Sequence, residues 1–103
     1  MRRQERIRIL QKNLKETGFS GALLFYSRDI YYYTGTAQPA CLLVLPDDYT
    51  LFVRGGYDFA LQDIFIHRER LRQERRIENI AKVSGLSGAA GKPLGTELNI
   101  LTV

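Results

Sequence analysis

The stretch ACLLVLPDDYTLFVR, residues 40–54, carries the local pattern that decides the fold. Ala40–Leu45 is an unbroken apolar run of strand length, which predicts a buried strand. Pro46–Asp48 predicts a turn, because proline presets φ and aspartates hydrogen-bond their own backbone. Thr50–Arg54 predicts another strand. It follows closely enough along the chain to pair with the first strand as a hairpin.

Upstream of the hairpin, the pattern predicts a helix followed by a strand. Arg2–Thr17 is the predicted helix, with one apolar stripe at spacings of three and four. The residues of this stripe are Ile7, Leu10 and Leu14. Gly18 is expected to end the helix, since positive φ is cheap for glycine alone. Gly21–Phe25 is then an apolar run that predicts a second buried strand.

Between these two strands lies DIYYYTG, with three of the chain's six tyrosines side by side. Asp29 is a candidate cap for a short helix over Ile30–Thr34, and Gly35 is expected to end it. Adjacent helical residues point 100° apart, so one tyrosine can face inward while another reaches solvent. The run therefore indicates either packing of the helix onto the sheet or a surface where something binds.

Downstream of the hairpin, the signals are less regular. Asp58–His67 is predicted as a helix capped by Asp58, and Arg68–Arg76 shows no clear pattern. A further helix is predicted around Ile77, Ile80 and Ala81. Leu94–Leu98 and Ile100–Val103 resemble strands. Mixed strands with interspersed helices predict one layered α/β domain with helices covering a central sheet.

Composition restricts the class of protein. A chain of 103 residues suits one domain with a core that needs no metal or disulfide. The longest apolar run is far too short to span a bilayer, and the charged N-terminus is no secretory signal. Cys41 is the single cysteine. A reducing, cytoplasmic location without membrane contact is therefore expected.

The chain is basic, with a net charge of +4 at pH 7. Its arginines cluster near residues 2–8 and 68–76, and such clusters can bind phosphate backbones. Glutamates are interleaved with them, which is typical of a solvated helix face. The pattern disfavours nucleic acid as a partner, although a small binding module for nucleic acid or another anionic partner remains the alternative.

Residues for catalysis are sparse. His67 is the only histidine, and no HExxH motif is present. Cys41 lies in an apolar run, where burial disfavours its thiolate. The chain alone is therefore expected to bind no cofactor or metal and to be inactive.

The order of these segments resembles the N-terminal domain of the creatinase/prolidase family of metallopeptidases, which includes Xaa-Pro aminopeptidase and Xaa-Pro dipeptidase. DIYYYTG is similar to the family's aromatic-rich Tyr-Leu-Thr/Ser-Gly segment, with Tyr33 in place of leucine. Leu94-Gly95-x-Glu97-Leu98 is similar to a second family segment. The resemblance runs from Arg6 to Val103.

This resemblance implies a three-layer α/β/α domain with a central mixed sheet of ribonuclease H-like topology. Catalysis in the family belongs to a C-terminal pita-bread domain, which holds two divalent metals (Mn, Co or Zn) with two aspartates, a histidine and two glutamates. The chain would then be a cut-out N-terminal domain, a truncated product or a degenerate free-standing relative. Dipeptidase, aminopeptidase and creatinase-type activities of the parent stay open as alternatives.

The resemblance also implies a homodimer, in which this domain provides dimer contacts and a wall of the substrate site. The segment 36–40 would face substrate. The candidate residues for the wall or the interface are Asp29, Tyr31, Tyr32, Tyr33, Thr34, Gly35, Thr36, Gln38 and Arg54.

Overall fold

A computed structural model describes residues 3–76 and 94–95 of the chain. The described helices are α1 (Arg6–Thr17), α2 (Ser27–Thr34) and α3 (Tyr57–Asp63). The described strands are β1 (Gly21–Leu24), β2 (Ala40–Leu45), β3 (Asp48–Val53), β4 (Leu71–Gln73) and β5 (Leu94–Gly95). Short 3-10 turns occupy Arg3–Glu5 and Arg68–Arg70.

The five strands form one sheet in the order β4-β3-β2-β1-β5. The three central strands are antiparallel to one another, whereas β4 runs parallel to β3 and β5 runs parallel to β1. The sheet is therefore mixed, and the predicted α/β class with a central mixed sheet is confirmed.

The β2–β3 hairpin forms as predicted, with a tighter turn. Its register runs from Ala40 opposite Val53 to Leu45 opposite Asp48. Asp48 is consequently the first residue of β3, two residues before the predicted start at Thr50. Its carboxylate accepts a hydrogen bond from the backbone N–H of the next residue at 2.9 Å, which is the local aspartate chemistry expected of such turns.

The core lies between the sheet and the three described helices, which pack on one of its faces. From α1, the buried residues are Ile7, Leu10 and Leu14, the stripe that the sequence predicts. The sheet residues on this face include Leu24, Leu42, Val44, Leu51 and Val53. The opposite face carries a second buried cluster of Leu23, Cys41, Leu43 and Phe52. The predicted helix around Ile77, Ile80 and Ala81 lies outside the described residues.

Helix α1 ends as predicted and is tied to the hairpin. Gly18 has φ 79°, and its N–H donates to Leu14 O at 3.1 Å. The side-chain amide of Gln11 donates to Leu45 O at 3.1 Å and to Asp48 O at 3.2 Å. These bonds fix α1 across the turn between β2 and β3.

Two predicted helix caps are wrong. Helix α2 begins at Ser27 with Tyr26 in the cap position, so Asp29 lies inside the first turn instead of capping it. Gly56, with φ 65°, occupies the cap position of α3 in place of Asp58. Helix α3 also ends at Asp63 and not at His67, because Ile64 adopts an extended conformation with ψ 149°.

The segment Arg68–Arg76, which shows no clear sequence pattern, contains the edge strand β4. Leu71 is its buried residue and lies opposite Leu51 of β3. A short edge strand with one inward side chain among charges has little periodicity, and charged edges discourage unwanted pairing. Beyond Leu94–Gly95, the strands predicted through Val103 lie outside the described residues.

Candidate functional site

The three tyrosines of α2 point in three directions. The exposed fraction is 61% for Tyr31, 42% for Tyr32 and 7% for Tyr33. Gly35 ends the helix with φ 92°, and its N–H donates to Tyr31 O at 2.9 Å. The 100° step between helical residues explains the divergence. One tyrosine belongs to the core, and two reach the surface.

Tyr32 is held between α1 and the buried tyrosine. The Arg6 guanidinium lies 4.2 Å from the centroid of its ring and donates to the Tyr32 backbone oxygen at 2.7 Å. On its other side, the ring packs edge-on against Tyr33, with centroids 5.0 Å apart and an interplanar angle of 88°. Both arrangements are favourable for aromatic rings. They fix the orientation of α2 relative to α1.

Tyr33 occupies an environment that disfavours its ionised form. Burial, with smaller contributions from Tyr32 and Asp29, raises the pKa of Tyr33 from 10.0 to about 12. A phenol with a raised pKa stays neutral across the physiological range. Its role in this geometry is packing rather than proton transfer.

A chain of hydroxyl hydrogen bonds organises the loop after α2. The Thr34 hydroxyl donates to Ile30 O at 2.7 Å and accepts from the Thr36 N–H at 3.3 Å. The Thr36 hydroxyl accepts from the Gln38 N–H at 3.1 Å and donates to Asp63 Oδ2 at 3.4 Å. Both threonines are fully buried. The loop is therefore tied to the end of α3.

Gly35 allows a close approach between this loop and the chain after α3. A Cβ atom at this position would lie 2.9 Å from both Asp63 O and Phe65 Cδ2. The Phe65 N–H donates to Thr34 O at 2.9 Å. The glycine is thus required for two reasons, its positive φ and the absence of a side chain.

A small cavity of about 240 Å³ opens beside this contact. Its described lining consists of Arg3, Arg6, Tyr31, Gly35, Asp63 and Phe65. The guanidinium groups of Arg3 and Arg6 lie 5.6 Å and 5.9 Å from the centroid of the Phe65 ring. The cavity therefore combines two cations, one carboxylate and two aromatic rings.

The other predicted site residues lie around this centre or apart from it. The Arg54 side chain is exposed and lines a separate hollow with Pro39, while its N–H donates to Pro39 O at 2.8 Å. Gln38 packs its side chain against Gly56. Asp29 is 8% exposed, with Oδ1 3.7 Å from Arg28 Nε. Among the described residues, no hydrogen-bond donor reaches its Oδ2 atom.

Four residues of this centre were absent from the sequence-based site: Arg3, Arg6, Asp63 and Phe65. Asp63 is 27 positions from Thr36, and Arg6 is 26 positions from Tyr32. No local pattern signals contacts over such distances.

Metal ligation and membrane insertion find no support in the described part of the chain. Within residues 3–76 and 94–95, no three His, Cys, Asp or Glu side chains converge on a point where a metal ion could bind. The helices described there include none with the length and apolar character needed to cross a bilayer.

Comparison with known proteins identifies relatives of this fold. The family model described as the creatinase/prolidase N-terminal domain matches residues 6–103. No curated protein matches the chain in sequence.

Several solved structures share the fold at low sequence identity. A prolidase from Pyrococcus furiosus superposes with a TM-score of 0.71 at 15% identity, over 93% of this chain and 36% of that one. An Xaa-Pro aminopeptidase from Streptococcus thermophilus superposes with a TM-score of 0.67 at 14% identity, over 96% of this chain and 94% of that one. The N-terminal domain of a protein from Corynebacterium diphtheriae, described as a metallopeptidase, superposes with a TM-score of 0.70 at 23% identity. The match covers 100% of this chain and 82% of that one. The chain thus spans about a third of the length of the prolidase.

Proposed function

The chain belongs to the creatinase/prolidase N-terminal domain family, and on that premise we propose that it is the noncatalytic N-terminal domain of a metal-dependent Xaa-Pro peptidase. In this proposal the domain provides dimer contacts and one wall of the substrate site. The peptide bond is cleaved by a separate catalytic domain, which holds two divalent metals of the Mn, Co or Zn type.

The observation that carries this proposal is the exposed aromatic surface of α2. Tyr31 and Tyr32 are adjacent and substantially exposed, although their helix is tied to Arg6 of α1 and to the backbone of Phe65. A rigid aromatic side chain gains contact area with little loss of conformational entropy, which is why tyrosine is enriched at interfaces. This surface, defined by Tyr31 and Tyr32, is called the tyrosine face below.

Asp29, another predicted site residue, has its carboxylate buried in the same region. It lies on α2, two residues before Tyr31, and its Oδ2 atom lacks a donor among the described residues. A buried oxygen without a partner is costly, by about 1–3 kcal/mol. We propose that Asp29 belongs to the contact region on α2.

The loop after α2, residues 36–40, is the segment that we place against substrate. The Thr36 hydroxyl donates to Asp63 and accepts from the Gln38 N–H, and these two bonds hold the loop in one conformation. Preorganised walls position a substrate better than mobile ones. The reducing, cytoplasmic location inferred from Cys41 stays part of this proposal. The choice among dipeptidase, aminopeptidase and creatinase-type activity would be made by residues of the catalytic domain.

The positions of the arginine side chains disfavour the alternative that the chain binds nucleic acid. Arg3 and Arg6 lie over aromatic rings of the chain, and Arg70 is paired with Asp48. Arginines held singly in this way do not form the continuous row along one face that a phosphate backbone requires.

The reading frame downstream of the Val103 codon tests the domain assignment. We expect it to continue into a segment with spaced Asp, Asp, His, Glu and Glu ligands. A stop codon at that point, with no such segment encoded, would contradict the assignment.

A second experiment tests the noncatalytic role. The 103-residue chain incubated with Mn²⁺ and Xaa-Pro dipeptides should release no product above the buffer rate. Measurable turnover would overturn the noncatalytic role.

A further inference from the structure

A second cavity, separate from the tyrosine face, lies between α1 and residues 65–70. Its volume is about 380 Å³. The charged and aromatic residues of its lining are Arg3, Arg8, Tyr49, Phe65, His67 and Arg70. The described lining contains no aspartate or glutamate. We call this cavity the basic groove.

Two arginines of the basic groove are oriented by aromatic rings. The guanidinium of Arg70 lies 4.7 Å from the centroid of the Tyr49 ring and is also paired with Asp48. The guanidinium of Arg3 lies 5.6 Å from the centroid of the Phe65 ring. A guanidinium that rests on a ring can still donate hydrogen bonds from its N–H edge, as Arg70 does to Asp48. These contacts reduce the entropy that would be lost on binding a ligand.

The positive charge of the groove is only partly neutralised by the described residues. Neither Arg3 nor Arg8 has a carboxylate within ion-pair distance among them, in contrast to Arg70. Both side chains are exposed, so they are accessible to a ligand. At least two cationic groups therefore face the groove with no anionic counterpart from the same part of the chain.

We propose that the basic groove binds a small organic phosphate, a phosphate monoester with a compact organic part. A monoester carries a charge of about −1.5 to −2 at pH 7 and three acceptor oxygens, which suits two guanidinium forks better than a single carboxylate does. The groove volume lies within the range of about 300–1,000 Å³ typical of small-molecule sites, and it exceeds what a free phosphate fills. Ile7 and Ile66 supply apolar contacts for the organic part.

Isothermal titration calorimetry on the 103-residue chain, with AMP as the probe, tests this proposal. AMP should bind with a stoichiometry of one, and adenosine, which lacks the phosphate, should bind at least tenfold more weakly. Inorganic phosphate should also bind more weakly than AMP, because it makes no contact with Ile7 or Ile66. The double variant Arg3→Gln/Arg8→Gln should weaken AMP binding at least tenfold.

The matched control is Arg68→Gln/Arg72→Gln, which removes the same charge from exposed arginines outside the groove lining. Its affinity for AMP should stay within twofold of the unchanged chain, and circular dichroism should show that both variants are folded. Three results would overturn the proposal: no AMP binding at millimolar concentration, equal losses in the two double variants, or adenosine binding as tight as AMP. None of them bears on the tyrosine face, so the two proposals fail independently.

Discussion

The turn between β2 and β3 and the helix α2 are both held to α1 by polar side chains, but they differ in what they leave at the surface. At the turn, Gln11 donates to two backbone oxygens, and Lys15 Nζ lies 3.0 Å from Asp47 Oδ1. On α2, Arg6 donates to Tyr32 O, and it covers that ring while Tyr31 stays 61% exposed.

This difference separates a structural region from a candidate contact region. Exposed charges such as Asp47 are well solvated and need no partner. Adjacent exposed tyrosine rings on a fixed helix are typical of surfaces that other molecules cover. Substitutions around the hairpin should therefore affect stability alone, whereas substitutions at the tyrosine face should affect association with little loss of stability.

The largest expected effect is in the hairpin core. Leu42 of β2 is fully buried beneath the helices. Leu42→Ala should lower the free energy of unfolding by about 2–5 kcal/mol, since it removes apolar contacts and leaves a cavity. Urea denaturation measures this loss. Leu45→Ala, at the half-buried end of the same strand, should cost less, and an equal cost would contradict the position of the core.

A smaller effect is expected where the loop after α2 meets α3. Gly35→Ala and Gly18→Ala both place a side chain at positive φ, but the Cβ atom has nothing within 4 Å at Gly18. At Gly35 it meets Asp63 O and Phe65 Cδ2. Gly35→Ala should therefore be more destabilising than Gly18→Ala by about 1–3 kcal/mol in the free energy of unfolding. Equal losses in urea denaturation would show that the loop is not closely packed.

Stability at high pH reports on the burial of Tyr33. The pKa of Tyr33 is about 12 in the folded chain, against an ordinary value of 10.0. Between these two values the unfolded chain has released its proton while the folded chain retains it, so stability falls as pH rises through this window. Tyr33→Phe should reduce that fall, measured by urea denaturation at pH 8 and pH 11. A fall of the same size in Tyr33→Phe would contradict the raised pKa of Tyr33.

The sequence was sufficient for the hairpin, α1 and the core stripe because their signals are local. An apolar run, a Pro-Asp turn and glycines at Gly18 and Gly35 each specify nearby backbone. The sequence-based prediction was wrong at the end of α3, where the backbone of Phe65 pairs with Thr34 instead of extending the helix to His67. It also missed β4, whose single inward residue is Leu71.

Only the part of the candidate site that lies in one short segment could be predicted from the sequence. The tyrosines, Thr34 and Gly35 stand in one short motif, so their proximity was readable from the sequence. Their contacts with Arg6, Asp63 and Phe65 join segments far apart along the chain. Arg54 was grouped with them, but its side chain lines a different hollow. Such assignments depend on tertiary packing, which no spacing rule supplies.

The central claim is that the tyrosine face is a contact surface, and sedimentation equilibrium on Tyr31→Ala tests it most directly. The unchanged chain should associate into dimers with rising concentration. Tyr31→Ala should weaken this association at least tenfold, as expected for an aromatic interface residue. Its free energy of unfolding should change by no more than about 0.5 kcal/mol. Phe59→Ala, which removes another exposed ring of 65% exposure from α3, should leave association unchanged. A chain that stays monomeric at every concentration, or equal weakening by Phe59→Ala, would contradict the claim.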